Sequence, residues 1–443
     1  MFKIYTVETA RKTILRRTAL NEMSFGPVVL ERTEELFGQG VTPPEAVARI
    51  LRSVQTNGDA ALRHFSKLLD KAELEDFRLP VETLERAWLY LDEELRQAMQ
   101  LAAERIRRFH KLQPLPNWES TELGGRLGQR VTPVDRAGVY VPGGTAPLPS
   151  SLLMSVIPAQ VAGVPEIIVC TPPNPHPAIL GAAYLCGIDQ IFQIGGAQAI
   201  AALTFGTESV PRVDKIVGAG NLFVTLAKQQ VYGLVGLDTL AGPTETVVVA
   251  DHTANPAWVA ADLLAQAEHD VLASAILLTP DQTLAEAVQA QAARQLENLD
   301  RAKIIHQSLA ARSGIVLTPD LETAADIASE FAPEHLCLAV ADPQALAGGD
   351  RPRIRHAGGI FFGEHSFEVL GDYVAGPSHV MPTNGTARFA SPLNVLDFVK
   401  ITSIIALDAE TSRALSPVAA RLAQAEQLSA HAASALLRTG EVA

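Results

Sequence analysis

The chain has 443 residues, of which 47% are hydrophobic and 19% are charged, and its formal net charge is −13. This length exceeds one ordinary hydrophobic core, so we expect two or more domains. The acidic balance, without any basic run, excludes nucleic acid as an expected partner. The sequence contains no stretch of about 18 apolar residues, so no membrane span is predicted. Three distant cysteines (Cys170, Cys186 and Cys337) and an N-terminus without a signal-peptide core favour a reducing cytoplasm over a disulfide framework.

The predicted elements change in character along the chain. Residues 1–33 have a charged helical pattern, and residues 43–103 repeat apolar side chains at helical spacing. From residue 139, short apolar strands end at glycine turns that lead into helices, which indicates βαβ units and a parallel sheet. After residue 244 the alternation resumes, with strands predicted at 246–250, 275–278, 314–317, 336–340 and 359–362. A helical tail is predicted at 417–437, with Ser416 as its N-cap and Pro417 at its first position.

We therefore predict an α/β fold with two incomplete Rossmann-like parallel-sheet modules and helical N-terminal and C-terminal extensions. The predicted division has an N-terminal helical extension at 1–33, one α/β domain made of 34–139 with 245–390, a Rossmann-like domain at 140–244 and a helical tail at 391–443.

Gln266 and His269 lie three residues apart in a helical pattern, so both can project from one face. A side-chain carbonyl and an imidazole there could bind one divalent ion. The alternative is a helix C-terminus at which His269 satisfies backbone carbonyls.

Asp372 and His379 lie in a stretch rich in glycine and proline, outside any helical or alternating pattern. Loops on a rigid scaffold often carry binding groups, so this stretch is a candidate part of a site. The alternative is a simple turn at Asp372 and a surface histidine.

Glu334 and His335 stand at the junction between a loop and an apolar strand. A carboxylate and an imidazole bordering one cleft could serve as two general acid/bases, whereas the alternative is a solvated turn. Cys337 follows within the strand and is interpreted as inert packing. Glu426 and His431 lie in the tail, where a helix surface is the default interpretation.

Glycine turns follow three predicted strands, at Gly143-Gly144, Gly195-Gly196 and Gly218-Ala-Gly-Asn221. Backbone amides at such turns can contact a phosphate. None completes the G-x-G-x-x-G pattern, since Phe223 occupies its sixth position, and a tight βα turn is favoured.

Taken together, the motifs resemble the histidinol dehydrogenase family over residues 30–435. The motifs that carry the resemblance are Tyr140-Val-Pro-Gly-Gly, Gly195-Gly-Ala-Gln-Ala-Ile-Ala-Ala-Leu203, Val213-Asp-Lys-Ile216, Ala241-Gly-Pro-Thr-Glu245, Asp262-Leu-Leu-Ala-Gln-Ala-Glu-His269, Ala332-Pro-Glu-His-Leu336, Gly371-Asp-Tyr and Pro382-Thr383.

The resemblance implies a zinc- and NAD-dependent, four-electron oxidation of L-histidinol to L-histidine through the aldehyde, with one zinc per subunit. It implies a homodimer with shared active sites, to which the tail of each chain contributes Glu426 and His431. The implied catalytic pair is Glu334 and His335. The implied zinc ligands are Gln266, His269, Asp372 and His431. These four are also implied to bind substrate, together with Thr244, His335, Glu426 and also His379. The implied NAD contacts are Tyr140, Gln198 and Asn221.

Two positions depart from the family pattern. Ala219 replaces a common proline in the Gly218 turn, and Thr244 replaces a common serine. Because substrate contacts vary among such enzymes, a sister dehydrogenase acting on another small alcohol or diol is the alternative activity. A metal-stabilised binding protein on the same scaffold is the alternative outside the enzymes.

Overall fold

A computed structural model describes residues 2–17, 25–143, 147–350 and 352–439. The described strands form a six-stranded and a five-stranded parallel sheet and a three-stranded antiparallel sheet. The prediction of an α/β fold with two parallel-sheet modules is therefore confirmed. Gly144, part of one predicted glycine turn, lies outside the described residues. Within the described ranges, no helix is both long and apolar enough to cross a membrane.

The chain begins with a strand, not with the predicted helix. β1 spans Ile4–Thr6, and α1 follows at Val7–Lys12. β1 pairs in parallel with the strand at Gly314–Leu317, with Tyr5 opposite Val316. The helical prediction for 1–33 is wrong at this point because the strand is too short to show a period of two and forms on a distant sheet edge.

Within the described residues, four helices and a hairpin lie between α1 and the first parallel sheet. The helices are α2 (Pro27–Phe37), α3 (Pro43–Leu69), α4 (Val81–Tyr90) and α5 (Glu93–Lys111). The hairpin strands β2 (Trp118–Ser120) and β3 (Arg126–Pro133) are antiparallel. The helical pattern at 43–103 is thus confirmed, whereas the hairpin was not predicted.

The first module alternates strands and helices around its five-stranded sheet. Its elements are β4 (Arg136–Tyr140), α6 (Pro149–Ala162), β5 (Glu166–Thr171), α7 (Pro177–Leu185), β6 (Ile191–Gln193), α8 (Gly196–Phe205), β7 (Lys215–Val217), α9 (Leu222–Val231) and β8 (Gly236–Leu237). The strand order is β6-β5-β4-β7-β8, and all neighbours are parallel. The order reverses between β4 and β7, which is where open α/β sheets bind ligands beyond their carboxyl ends.

The long N-terminal helices pack on this first module. α3 contacts α8 and α9, α4 contacts α7, and α5 contacts α6. α8 is apolar on all sides, so its exposed face requires a second helical layer to bury it. These contacts place residues 43–111 against the first module, and the division of the chain into domains stays a prediction.

The second module repeats the same plan. Its elements are β9 (Glu245–Ala250), α10 (Pro256–Ala267), β10 (Ser274–Thr279), α11 (Gln282–Leu296), α12 (Ala302–Ala311), β11 (Gly314–Leu317), α13 (Leu321–Phe331), β12 (His335–Ala339), α14 (Pro343–Ala347), β13 (Gly359–Phe362) and α15 (Glu368–Tyr373). The strand order is β1-β11-β10-β9-β12-β13. The five predicted strands are all present, and β1 adds a sixth.

The C-terminal tail contains a strand as well as helices. β14 (Val399–Ala406) pairs antiparallel with β3, and α16 (Ala409–Ala425) and α17 (Ser429–Leu436) pack on each other. Asp408 caps α16 by accepting a hydrogen bond from the Thr411 amide, and Pro417 lies inside the helix. The predicted cap at Ser416 is therefore wrong. The sequence pattern favours proline at a first turn, but α16 accommodates it in the middle.

Candidate active site

A groove of about 540 Å³ opens at the carboxyl end of the first sheet. The three predicted cofactor contacts, Tyr140, Gln198 and Asn221, all line this groove. Tyr140 ends β4, Gln198 lies in the first turn of α8, and Asn221 is the N-cap of α9. The sheet topology thus brings together residues that are separated by up to 81 positions in sequence (221 − 140).

Tyr140 and Gln198 are fixed by buried polar contacts. The Tyr140 hydroxyl accepts a hydrogen bond of 3.0 Å from the Gly196 amide, and burial raises the pKa of Tyr140 to about 12. Gln198 donates to Asp70 over 3.0 Å, and its Oε1 is buried without a partner among the described residues. Burial raises the pKa of Asp70 to about 6, although the bond from Gln198 opposes the rise. Asp70 was missed from the sequence because it ends α3, far from any glycine motif.

The turn at Gly218 is held by a buried ion pair. Asp238 accepts from the Gly218 amide at 2.7 Å, and Lys228 donates to the Gly218 carbonyl at 2.9 Å and pairs with Asp238. Gly218 has φ +107°, and a Cβ there would overlap the Tyr140 carbonyl oxygen. The ion pair therefore stabilises the turn at Gly218, in which Ala219 stands where the family commonly has proline. Three residues further on, the side-chain oxygen of Asn221 accepts hydrogen bonds of 3.0 and 3.2 Å from two backbone amides at the start of α9.

A second group of polar side chains lies at the amino end of the second sheet. Glu334 immediately precedes β12, His335 begins it, and their side chains are buried, with residue exposures of 7% and 3%. Glu334 Oε2 accepts from Thr244 Oγ1 at 2.5 Å and from the Glu245 amide at 3.0 Å. Both donors bind Oε2. The other carboxylate oxygen, Oε1, accepts no hydrogen bond among the described residues. Burial raises the pKa of Glu334 to about 7, while His335 opposes the rise.

His335 is surrounded by carboxylates. Its Nε2 lies 3.5 Å from Asp372 Oδ1, and its Nδ1 lies 3.9 Å from Glu334 Oε2 and 4.0 Å from Glu368 Oε1. Burial alone lowers the pKa of His335, but the carboxylates of Glu368, Glu334 and Asp372 outweigh burial and raise it. Glu334 and His335 are thus buried next to each other, and their role as an acid/base pair stays a prediction.

Glu368 is a site residue that the sequence did not reveal. It is buried in α15, accepts a hydrogen bond from Thr246 and faces His335 Nδ1. Asp372 lies one helical turn further along α15, so the loop prediction is wrong for residues 371–373, whereas the stretch that follows, with His379, lies outside helices and strands. The i, i+4 spacing of Glu368 and Asp372 was the signal available in the sequence, because it places both carboxylates on one helix face.

Gln266 lies in the last turn of α10, which contacts α15, but His269 lies two residues beyond the end of the helix, so the prediction that both project from one helix face is wrong. Both amide atoms of Gln266 are buried without a partner among the described residues. His269 keeps a solvent-exposed face, yet the surrounding protein lowers its pKa, and Asp372 and His335 lie within electrostatic range. His335, Glu368 and Asp372 form a potential metal-ligand group, with ligand atoms within 4.8 Å of one another.

The remaining predicted site residues lie at different distances from this group. His379 Nδ1 lies 2.8 Å from the Asp372 carbonyl, and its Nε2 lies 3.2 Å from Ser151 Oγ. Glu426 and His431 are exposed in the tail, and within the described part of the chain neither forms a hydrogen bond or ion pair with the group at His335.

Cys337 lies in β12, two residues after His335. It is buried, and burial raises the pKa of its thiol well above the usual range. A thiol held protonated is a poor nucleophile, which confirms its interpretation as packing.

The fold and the site define an α/β protein with a groove at the carboxyl end of one parallel sheet and a buried group of carboxylates around a histidine at the amino end of the other. The sequence model for the family described as histidinol dehydrogenase matches residues 39–439. The chain therefore belongs to the histidinol dehydrogenase family.

Individual relatives agree with this assignment. The chain is 50% identical to a histidinol dehydrogenase of Deinococcus radiodurans, covering 95% of this chain and 96% of the relative. It is 48% identical to one of Thermus thermophilus, covering 98% and 100%. The crystal structure of histidinol dehydrogenase from Elizabethkingia anophelis superposes with a TM-score of 0.89 at 36% identity, covering 99% of this chain and 98% of that one.

Proposed function

We propose that the protein is a histidinol dehydrogenase that oxidises L-histidinol to L-histidine through the aldehyde, using zinc and NAD. The observation that carries the proposal is the buried pair of Glu334 and His335, with Asp372 3.5 Å from the imidazole. Family membership supports the substrate, and the Tyr140 groove supports a dinucleotide.

The residues at the second sheet fit a zinc ion. Gln266 has buried polar atoms that lack partners, and the lowered pKa of His269 favours the neutral imidazole that binds metals. We propose Gln266, His269 and Asp372 of one chain, with His431 of the other, as the ligands. When bound, the ion would orient the substrate amine and imidazole and offset the negative charge of Asp372.

His335 is proposed as the base of the alcohol oxidation. In its neutral form His335 takes the hydroxyl proton as the carbinol carbon gives up a hydride, and bound NAD would supply the hydride acceptor for each half-reaction. The carboxylate of Glu368 on the Nδ1 side stabilises the imidazolium that forms. Burial of this group excludes bulk water from the reacting atoms.

Glu334 is proposed to serve the aldehyde oxidation. Thr244 and the Glu245 amide hold Oε2, which leaves Oε1 to take a proton from water as that water adds to the aldehyde. Once His335 has released its first proton to solvent, it can take a proton from the hydrated aldehyde, and a second bound NAD would accept the hydride, which gives the carboxylate. Two adjacent acid/bases thus match a reaction with two different proton transfers.

We also propose that the enzyme is a homodimer with shared sites. Glu426 and His431 are exposed, and β14, α16 and α17 expose large apolar side chains, such as Ile405 at 75% and Leu422 at 63%. A second copy related by a two-fold axis would cover the exposed leucines of this tail and could take Glu426 and His431 into its own site.

The test is a substrate panel in which NADH formation is followed by absorbance. The enzyme, loaded with zinc, is given L-histidinol and a set of other small alcohols and diols. Rapid NADH formation with L-histidinol is expected. NADH formation with another alcohol and none with L-histidinol would indicate a sister dehydrogenase, and none with any substrate would contradict an enzymatic role.

A further inference from the structure

Arg17 reaches from the N-terminal segment to the amino end of the second sheet. Its guanidinium forms a two-point ion pair with Glu245, including a bond of 2.9 Å to Oε2. Arg17 is 24% exposed at its side chain and Glu245 only 3%, so this pair is largely removed from solvent. It precedes residues 39–439, which the family's sequence model matches.

The same guanidinium also holds the turn that leads into the catalytic pair. It donates to the Phe331 carbonyl from Nε at 3.1 Å and from Nη2 at 2.6 Å. Nη2 also donates to the Ala332 carbonyl at 3.3 Å. It also lies 3.5 Å from the centre of the Phe331 ring. Ala332 has φ +52°, a left-handed conformation that is unfavourable for alanine and needs support from its surroundings.

Glu245 connects this contact to Glu334. Its amide donates to Glu334 Oε2, while its carboxylate is held by Arg17 and by the Asn384 amide at 3.2 Å. The Phe331 and Ala332 carbonyls lie directly before Pro333 and Glu334 in sequence. Arg17 therefore fixes the segment that carries Glu334 and also the segment that supplies its hydrogen-bond donors.

We propose that Arg17 is a positioning residue that holds Glu334 for water activation, acting through Glu245 and the turn at Phe331 and Ala332. The proposal rests on the role proposed above for Glu334. A lysine could not replace the arginine, because one ammonium cannot supply a planar fork to a carboxylate and also bind two carbonyls. The N-terminal segment is thereby a part of the active site, not only an additional sheet edge.

The experiment compares Arg17→Ala and Arg17→Lys with a matched control, Arg11→Ala. Arg11 lies in the same segment and pairs with Glu330 of α13, but both of those side chains are at least half exposed. Zinc-loaded enzymes are assayed with L-histidinal, which isolates the aldehyde step. We expect kcat to fall about tenfold or more in both Arg17 variants, with KM for histidinal within about twofold of the parent and Arg11→Ala unchanged. Millimolar guanidinium should restore part of the activity of Arg17→Ala only.

A double-mutant cycle with Glu334→Gln separates positioning from general destabilisation. If Arg17 acts through Glu334, Arg17→Ala should change kcat less than about twofold in the Glu334→Gln background. An equal loss in both backgrounds would overturn the proposal. Full histidinal oxidation by Glu334→Gln alone would instead overturn the role of Glu334.

A crystal structure of Arg17→Lys gives a readout that does not depend on activity. We expect the Glu334 carboxylate to leave the Thr244 hydroxyl and the Glu245 amide. A carboxylate that keeps both hydrogen bonds would contradict positioning by Arg17, whichever substrate the enzyme uses.

Discussion

The two parallel sheets share a strand order but differ in the edge that carries polar groups. In the first module the groove lies beyond the carboxyl ends of β4, β5 and β7, where glycine turns and helix N-termini meet. In the second module, Glu334 and His335 stand where β12 begins, beside Thr244 and Glu245 at the start of β9. Strand order alone therefore locates neither site.

The difference follows from what each edge offers. Turns after parallel strands present backbone amides and small residues, which suit the phosphates of a dinucleotide. The opposite edge receives chain from helix C-termini and loops, here α13 and α15, and supplies side chains with buried charge. A dehydrogenase with separate cofactor and proton-transfer groups can thus be built from two copies of one strand plan.

The largest expected effect is a loss of activity at the second sheet that leaves the groove of the first sheet unchanged. His335→Ala should lower kcat for L-histidinol and L-histidinal by about 10³-fold, because both steps lose their base. NAD binding, followed by fluorescence titration, should not change, since the groove lies on the other sheet. His365→Ala, an exposed histidine, is the control. Weakened NAD binding in His335→Ala would contradict the separation.

Sharing of sites between chains predicts the next largest effect. His335→Ala and His431→Ala, each inactive, are unfolded and refolded together. Random pairing should restore about a quarter of parental activity, because about half the dimers are mixed and each has one intact site. If mixed dimers form and stay inactive, the tail does not complete the partner's site.

Replacement of Glu368 tests the part of the second site that sequence patterns missed. Glu368→Gln should lower kcat for L-histidinol about tenfold, because the carboxylate no longer stabilises a charged His335. KM for NAD should not change. Glu330→Gln on the surface of α13 is the control, and a kcat equal to that of the control would exclude this role.

The pKa of Glu334 predicts a pH dependence confined to the second site. Burial raises the pKa of Glu334 to about 7, and only its deprotonated form can accept a proton from water. Histidinal oxidation should therefore fall about fivefold from pH 7 to pH 6. Glu334→Gln should lose this dependence, and retention of it would assign the titration to another group.

The smallest effect is expected in the groove. Tyr140→Phe removes the acceptor for the Gly196 amide and should raise KM for NAD about threefold, with histidinol binding unaffected. Tyr232→Phe changes an exposed tyrosine of the same module and should have no effect. A change in histidinol binding in Tyr140→Phe would show that the two regions are coupled.

Sequence patterns predicted the elements that have strong local signals. The apolar runs at 246–250 and 314–317 form interior strands of the second sheet, where nearly all their side chains are buried. β1 was missed, since three residues carry no periodicity and the strand exists only beside β11. The predicted N-cap of the tail helix was wrong because α16 begins earlier, after Asp408, and continues through Pro417.

The site was predictable where residues lie close together in sequence. Glu334 and His335 are neighbours, and Gln266 and His269 lie three residues apart where α10 ends, so their patterns are local. Asp70, 128 residues from Gln198, and Arg17, 228 residues from Glu245, carry no local signal. Their contacts depend on tertiary packing.

The stoichiometry of NADH formation tests the central claim, that one second-sheet site serves both oxidations, most directly. A limiting amount of L-histidinol is converted to completion with excess NAD, and NADH and free aldehyde are both measured. The account predicts two NADH per L-histidinol and no aldehyde in solution. One NADH per L-histidinol, with accumulated aldehyde, would contradict it.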